Sequence, residues 1–300
     1  MDHPPVEPFD APLADPLDAD ALRAALLAPR GPVARLDVLP RVGSTNADLL
    51  AAARAGAPDY TVLTAELQDA GRGRLDRGWV SPAGAGLTVS VLLRPAGVPS
   101  ARLGWLPLLA GLSLLRTVRE LTPLTATLKW PNDLLVGPPG GLPLAKCAGL
   151  LAEADTAGGA QVVVIGIGLN VHTRPEELPE GASSLVAELP VGAPGPNRTE
   201  LLTALLRRLL ADEGAWRAAG GDPGVTGLRD DYRAACATLG SPVRIHQPGG
   251  TSVVATAVDV DADGRLLVRD TDPAGATRAV AAGDVVHLRA ATAREHPGGR

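Results

Sequence analysis

A chain of 300 residues, 45% of them hydrophobic, can bury a substantial core and has room for about two domains. Its formal net charge of -5 argues against a broad nucleic-acid footprint, which needs a basic face, so any anion site has to be local. Two far-separated cysteines, Cys147 and Cys236, match neither a zinc spacing nor a disulfide framework. With no signal peptide and no apolar run long enough to span a bilayer, the chain reads as cytoplasmic and free of membrane.

Residues 1–34 are rich in Pro and Asp and read as a largely disordered tail with one short helical pattern near 19–28. Residues 35–42 read as a strand. Gly43-Ser44-Thr45-Asn46 then precedes an Ala/Leu-rich helix that Gly56 stops. One cap explains one of these polar side chains; three in succession leave a surplus suited to a polar, uncharged ligand group.

A strand at 61–67 delivers the stretch QDAGRGRLDRGW, residues 68–79, which sets Arg72, Arg74 and Arg77 beside Gly71, Gly73 and Gly78. Glycine lets a backbone approach a ligand closely, and arginine brings a fixed, always-charged fork for phosphate or carboxylate, so this loop reads as an anion holder. Trp79 stands out because aromatic residues make up only 2% of the chain. A strand at 86–93 and a helix at 101–121 follow. In TATLKWPNDLLV, Pro131 breaks a strand-like run and projects Lys129, Asn132 and Asp133 at a strand end.

Lys129 and Lys146 are the only lysines among 28 basic residues, and asparagine occurs only at 46, 132, 170 and 197. In a composition biased toward Ala, Gly, Pro and Arg, a retained Lys or Asn points to chemistry that Arg or Asp does not perform. Lys146 enters on a strand after a Gly/Pro-rich hairpin at 137–143. The strand QVVVIGIGLNV at 161–171 carries Gly166 and Gly168 but lacks the third glycine and the following helix of a dinucleotide fingerprint, so close backbone packing beside a ligand is the better reading, with Asn170 as a further contact.

Residues 172–197 read as loop, and 198–219 and 225–239 as two helices. Short alternating strands beyond residue 239 read as a small all-β barrel. Asp259, Asp261, Asp263, Gly264 and Asp270 have nearly the spacing of a calcium loop, but β-branched flanks make this an Asp-Gly hairpin turn. Several fixed cations, neutral polar groups and one carboxylate suit a reaction that joins two anions, a carboxylate and a nucleoside triphosphate, with Mg²⁺ shielding the departing pyrophosphate.

GSTN, QDAGRGRLDRGW, KWPNDLLV, KCAGLLAE and GIGLNV, in this order, resemble the biotin protein ligases, or biotin–[acetyl-CoA carboxylase] ligases, over roughly residues 36–290. The resemblance implies an α/β (α+β) fold. A mixed sheet flanked by helices, related to the class II aminoacyl-tRNA synthetases, would span 35–238. An SH3-like β-domain would span 239–290, with a disordered tail at 291–300 and no N-terminal DNA-binding domain. It implies an ATP-dependent ligase that makes biotinyl-5′-AMP and passes biotin to a lysine of a biotin carboxyl carrier domain of an acyl-CoA or pyruvate carboxylase.

By position in the motifs, Ser44, Thr45, Asn46, Gln68, Arg72, Gly73, Arg74 and Lys146 would bind biotin. Arg72, Arg74, Arg77, Trp79, Lys129, Asn132 and Asn170 would serve ATP. Lys146, Arg74 and Asp133 would be catalytic, with biotin, ATP and Mg²⁺ as ligands and the metal's own side chains unassigned. A lipoate- or octanoate-attaching relative and a non-catalytic biotin or adenylate sensor are the alternatives; GRGRxxRxW with KWPND speaks against the first.

Overall fold

The computed structural model describes residues 13, 15–75, 77–246, 251–270, 275–282 and 285–287. Most of it is a seven-stranded sheet of β1 (Arg35–Val42), β2 (Thr61–Gln68), β3 (Gly86–Leu93), β4 (Thr125–Lys129), β5 (Asp133–Gly137), β6 (Ala145–Ala157) and β7 (Ala160–Asn170), in the order β1-β2-β3-β7-β6-β5-β4. Only β1 and β2 run parallel, joined by helix α2 (Thr45–Arg54); every other neighbouring pair is antiparallel. At one edge β1 carries Pro40 and three charged residues, which blunt it against pairing with another chain. At the other edge, the Ala237 N–H donates to Leu128 O and covers part of β4.

Alternation along the central strands explains the layers. On one face β3 and β7 turn Leu87, Val89, Val91 and Leu93 and Ile165, Ile167 and Leu169 inward, all buried, and α3 (Trp105–Leu121) and α5 (Arg198–Ala218) lie on that side. On the other face the register brings Leu92, Val162 and Val164 under α2, with Leu49, Ala52 and Ala53 packed on them. Farther along the same face the residues become small or polar: Ser90 opposite Gly166, Thr88 opposite Gly168, and Gly86 opposite Asn170. That end of the face has no apolar layer to bury, and there the candidate site residues gather.

Residues 15–34 depart from the loose tail expected from their Pro and Asp content. Helix α1 (Ala19–Leu26) forms within the expected 19–28, capped by Asp18, and fully buries Leu22 and Leu26. Its amphipathic pattern outweighs the flanking prolines, because burying two leucines contributes on the order of 1.5–3 kcal/mol each. Upstream of it, Arg198 is 0% exposed and donates to Gly86 O, Asp15 O and the Glu66 carboxylate, while the Leu17 N–H donates to Glu66 Oε1 at 2.7 Å. The rest of the expected tail, 1–12 and 14, and the expected tail at 291–300 lie outside the described residues. The region read as loop holds a 3-10 turn at Pro175–Glu177 and one short α-helix, α4 (Leu185–Glu188), ahead of α5, and α6 is Leu228–Ala235.

The chain divides into two compact units. The larger takes the described residues up to Ala237 with Ala262–Gly264, and the smaller takes Thr238–Asp261 and the described residues from Arg265 on. The smaller is a five-stranded antiparallel, SH3-like sheet of β8 (Pro242–His246), β9 (Ser252–Val260), β10 (Leu266–Asp270), β11 (Thr277–Val280) and β12 (Val285–His287), ordered β11-β10-β9-β8-β12. The calcium-like spacing falls on the turn between β9 and β10, where Gly264 takes a φ of +81° and Asp261 Oδ1 accepts from the Arg265 N–H. No helix among the described residues is long and apolar enough to cross a membrane.

Candidate active site

Ser44 caps α2, its hydroxyl accepting from the Ala47 N–H at 3.5 Å. The two residues behind it are not needed as caps and face the sheet. The Thr45 N–H and hydroxyl both donate to Gln68 Oε1 at 2.9 Å, and the Asn46 side chain lies over Gly166. A Cβ at position 166 would fall 2.3 Å from Asn46 Oδ1, so that glycine is required by the approach of a side chain. Asn46 Nδ2 donates to Glu153 Oε2 at 2.8 Å and to Leu151 O at 3.3 Å, while its Oδ1 lies 2.6 Å from the Ser90 hydroxyl. Ser44, Thr45, Asn46 and Gln68 therefore converge as expected, joined by Ser90 and Glu153.

The Gly/Arg loop is a narrow hairpin. Arg72 and Gly78 pair antiparallel, the Trp79 N–H donates to Gly71 O at 2.9 Å, and the Gly73 N–H donates to Arg77 O at 2.6 Å. Gly71 has to be glycine, since a Cβ there would meet Trp79 O at 2.3 Å. The fold of the loop sends Arg72 to Glu153, with 3.1 Å between the guanidinium and the carboxylate, and Arg74 to Asn132 Oδ1 at 2.9 Å. Burial, opposed in part by the neighbouring Asp133, lowers the Arg74 pKa from its ordinary value. Arg77 and the loop tip Leu75, 63% exposed, face outward.

Trp79 lies across the sheet. A Cβ on Gly168 would come 2.3 Å from its indole and one on Gly149 would come within 3.2 Å, and these two glycines are opposite one another on β7 and β6. The indole thus rests in a trough floored by a glycine pair, with Nε1 buried and without a hydrogen-bond partner. The glycines of the GIG motif serve close packing, and the groups packed on them are the Asn46 and Trp79 side chains where a ligand was expected.

Lys146 reaches the same trough through a bulge. Asp133 pairs with Gly149 and Leu135 with Lys146, so β6 fits one extra residue there. Strict alternation would turn Lys146 to the face opposite Gly149; the extra residue returns it. Its Nζ is 2.7 Å from Asp133 Oδ1 and 5.9 Å from the centre of the Trp79 ring. The Lys146 N–H donates to Gly181 O and the Ser183 N–H to Lys146 O, so residues 181–183 brace the bulge.

Lys129 ends β4 opposite Asp133. Asn132 ties the turn to β6, its Nδ2 donating to Leu150 O at 2.9 Å. Asn170 stands apart from the other expected contacts: it is buried, and its Nδ2 donates to Ser183 O at 3.1 Å, which holds the brace. Beside it Cys147 donates to Asn170 O, and burial pushes its thiol pKa up, so the sulfur is kept protonated and serves packing.

Sequence reasoning passed over Glu153, Ser90 and the 181–183 brace. Glu153 was within reach of an alternation argument, because 149, 151 and 153 share a face. Ser90 offered only a lone hydroxyl in an apolar strand, and the brace left no pattern in the sequence. The resulting arrangement has Arg74 and Lys146 beside Asn132 and Asp133 on one side of a glycine-floored trough and the Thr45, Gln68, Ser90 and Asn46 cluster on the other, which Arg72 joins through Glu153. It can hold a ligand with an uncharged polar end and an anionic end.

Residues 38–170 match the Biotin/lipoate A/B protein ligase family, and residues 238–288 match the Biotin protein ligase C terminal domain. A biotin–[acetyl-CoA-carboxylase] ligase of Mycobacterium tuberculosis is 45% identical over 281 residues, covering 92% of this chain and 98% of the relative. A biotin protein ligase of Aquifex aeolicus in complex with biotin and ATP superimposes with a TM-score of 0.67 at 26% identity, covering 86% of this chain and 100% of that one. A ligase of Leishmania major in complex with biotinyl-5-AMP does so with a TM-score of 0.56 at 25% identity, covering 83% and 99%. On the site and on this likeness along both units, the chain belongs to the biotin protein ligases.

Proposed function

We propose that the trough joins biotin to ATP, forming biotinyl-5′-AMP and pyrophosphate, and then passes biotin to a lysine amine of a biotin carboxyl carrier domain. The observation that carries this is the gathering of Lys146, Arg72 and Arg74 beside the neutral Thr45–Gln68 pair on one sheet face, from four separate segments. Biotin matches it in kind, with an uncharged ureido ring at one end and a carboxylate at the other.

In the first step a carboxylate oxygen attacks the α-phosphorus and the bond to the β-phosphate oxygen breaks. Both reactants are anions, and at about 4 Å two unit charges repel by roughly 4 kcal/mol at an effective dielectric of 20. Lys146 would reach both reacting oxygens and offset that repulsion as the bond forms. To do so it leaves its 2.7 Å pair with Asp133, which frees the carboxylate for the second step. There the carrier amine attacks the acyl carbon, AMP departs, and Asp133 would take up the amine's proton.

Arg72 and Arg74 would close over the adenylate and exclude water, which would otherwise hydrolyse it. Lys129 and Asn132 would border the phosphates, Arg77 would have to turn inward from its exposed position to join them, and Trp79 would move from the glycine pair to border the adenine. Among the described residues no three His, Cys, Asp or Glu side chains are grouped to hold a metal. Mg²⁺ would enter with the triphosphate and shield the leaving pyrophosphate, and Asp133 would be a carboxylate available to hold it. The acceptor would be the carrier domain of an acyl-CoA or pyruvate carboxylase.

Incubation with ATP, Mg²⁺ and labelled biotin, followed by a carrier domain, tests this. Label is expected first in an adenylate and then on one carrier lysine. Binding of biotin without ATP turnover would identify a sensor and overturn the proposal.

A further inference from the structure

The polar end of the trough holds a mismatch in hydrogens. Thr45 Oγ1 lies 2.9 Å from Gln68 Oε1, Ser90 Oγ lies 2.7 Å from Thr45 Oγ1, and Ser90 Oγ lies 2.6 Å from Asn46 Oδ1. These three contacts have two hydroxyl hydrogens between them. The amides supply none: Gln68 turns its oxygen to the Thr45 N–H, and Asn46 turns its oxygen to Ser90 because its Nδ2 is committed to Glu153 Oε2 and Leu151 O. Ser90 is fully buried and Thr45 and Asn46 nearly so, which keeps water from filling the gap easily.

We infer that Glu153 is a positioning residue that sets the polarity of this chain of contacts and so makes its open end, Gln68 Oε1, an acceptor for a ligand N–H. This rests on the ligase reading of the trough and says why a cyclic urea, with N–H donors, suits it. When a ligand N–H donates to Gln68 Oε1, the Thr45 hydroxyl turns to Ser90 Oγ and the Ser90 hydroxyl to Asn46 Oδ1. The Ser90–Thr45 and Ser90–Asn46 contacts then each hold one hydrogen, and Gln68 Oε1 accepts from the ligand in place of the Thr45 hydroxyl. A ligand with only acceptors leaves the deficit in place, and an unsatisfied buried polar group weakens binding.

Glu153 imposes the direction because both donors facing it are served by one carboxylate: Asn46 Nδ2 at 2.8 Å and the Arg72 guanidinium at 3.1 Å. A Gln at 153 would have one oxygen, which the charged Arg72 takes, and would turn its own amide hydrogens to Asn46. Asn46 would then flip, giving up its long contact with Leu151 O to accept from the amide that Glu153→Gln introduces, and donate to Ser90, Ser90 to Thr45 and Thr45 to Gln68, leaving the chain complete without a ligand. An Ala at 153 turns no donor toward Asn46, and Leu151 O still holds Nδ2 in place.

Titration of the full-length protein with biotin, without ATP, reads this. The near-isosteric Glu153→Gln is expected to weaken biotin binding tenfold or more, and more than the truncation Glu153→Ala does. Ser90→Ala, which leaves Arg72 untouched, is expected to weaken it several-fold, since the Thr45 hydroxyl then has nowhere to turn. Thermal unfolding of each variant is recorded alongside. Glu153→Ala binding as weakly as Glu153→Gln or worse, Ser90→Ala binding like the wild type, or losses that follow the unfolding temperature would overturn the inference. A wild type that binds no biotin would instead overturn the ligase reading.

Discussion

Lys146 owes its place to one extra residue in β6, so its effect should separate cleanly from folding. Lys146→Ala is expected to leave biotin binding weakened but measurable while adenylate formation falls about 10²–10³-fold, the scale seen when one charge-stabilising donor is removed. Rapid-quench measurement of biotinyl-AMP checks it, and an unchanged rate removes Lys146 from the chemistry. Trp79 offers a second test. Trp105, Trp130 and Trp216 are buried, so acrylamide quenching of tryptophan fluorescence reports chiefly on Trp79. Gly168→Ala places a methyl 2.3 Å from the indole and is expected to push the ring out and raise quenching. Quenching equal to wild type would mean that β7 yields instead of the ring.

At the scale of elements, the Gly/Arg loop closes a hairpin on itself and rests on the β4–β5 turn through Arg74 and on β6 through Arg72. Arg74→Ala is expected to loosen that closure and raise the rate at which free biotinyl-AMP escapes, measured by trapping released adenylate. Escape no faster than in the wild type counts against a closing loop. Strands β1, β2 and β3, the two glycines of β7 and the break at Pro131 were legible because alternation and turn residues act locally. The bulge was not, since its cause is the register between β5 and β6, and neither was the flooring of Trp79 by Gly149, which depends on two strands meeting. Asn170 was read as a ligand contact from its scarcity. It is spent on Ser183, because a buried amide is also the cheapest way to hold a turning main chain.

For the whole molecule, the N-terminal segment is the clearest revision. Composition marked residues 1–34 as a largely disordered tail, yet Asp15 and Leu17 complete a buried network around Arg198 that reaches Gly86 and Glu66, and α1 packs against α5. Leu22→Ala is expected to cost about 2–5 kcal/mol in a denaturant titration, as for other fully buried leucines. Deleting residues 1–34 is expected to cost more, by also removing the Asp15 carbonyl that Arg198 donates to and the buried Leu26. A deletion variant as stable as the full chain would mean that α1 merely rests on the surface.

The most direct test of the account is biotin-dependent exchange of labelled pyrophosphate into ATP, run on the wild type and on Lys146→Ala. The cation-lined trough predicts exchange with biotin, little with octanoate or lipoate, and near loss of exchange in the variant. Exchange that is indifferent to the acid supplied, or that survives removal of Lys146, would contradict it.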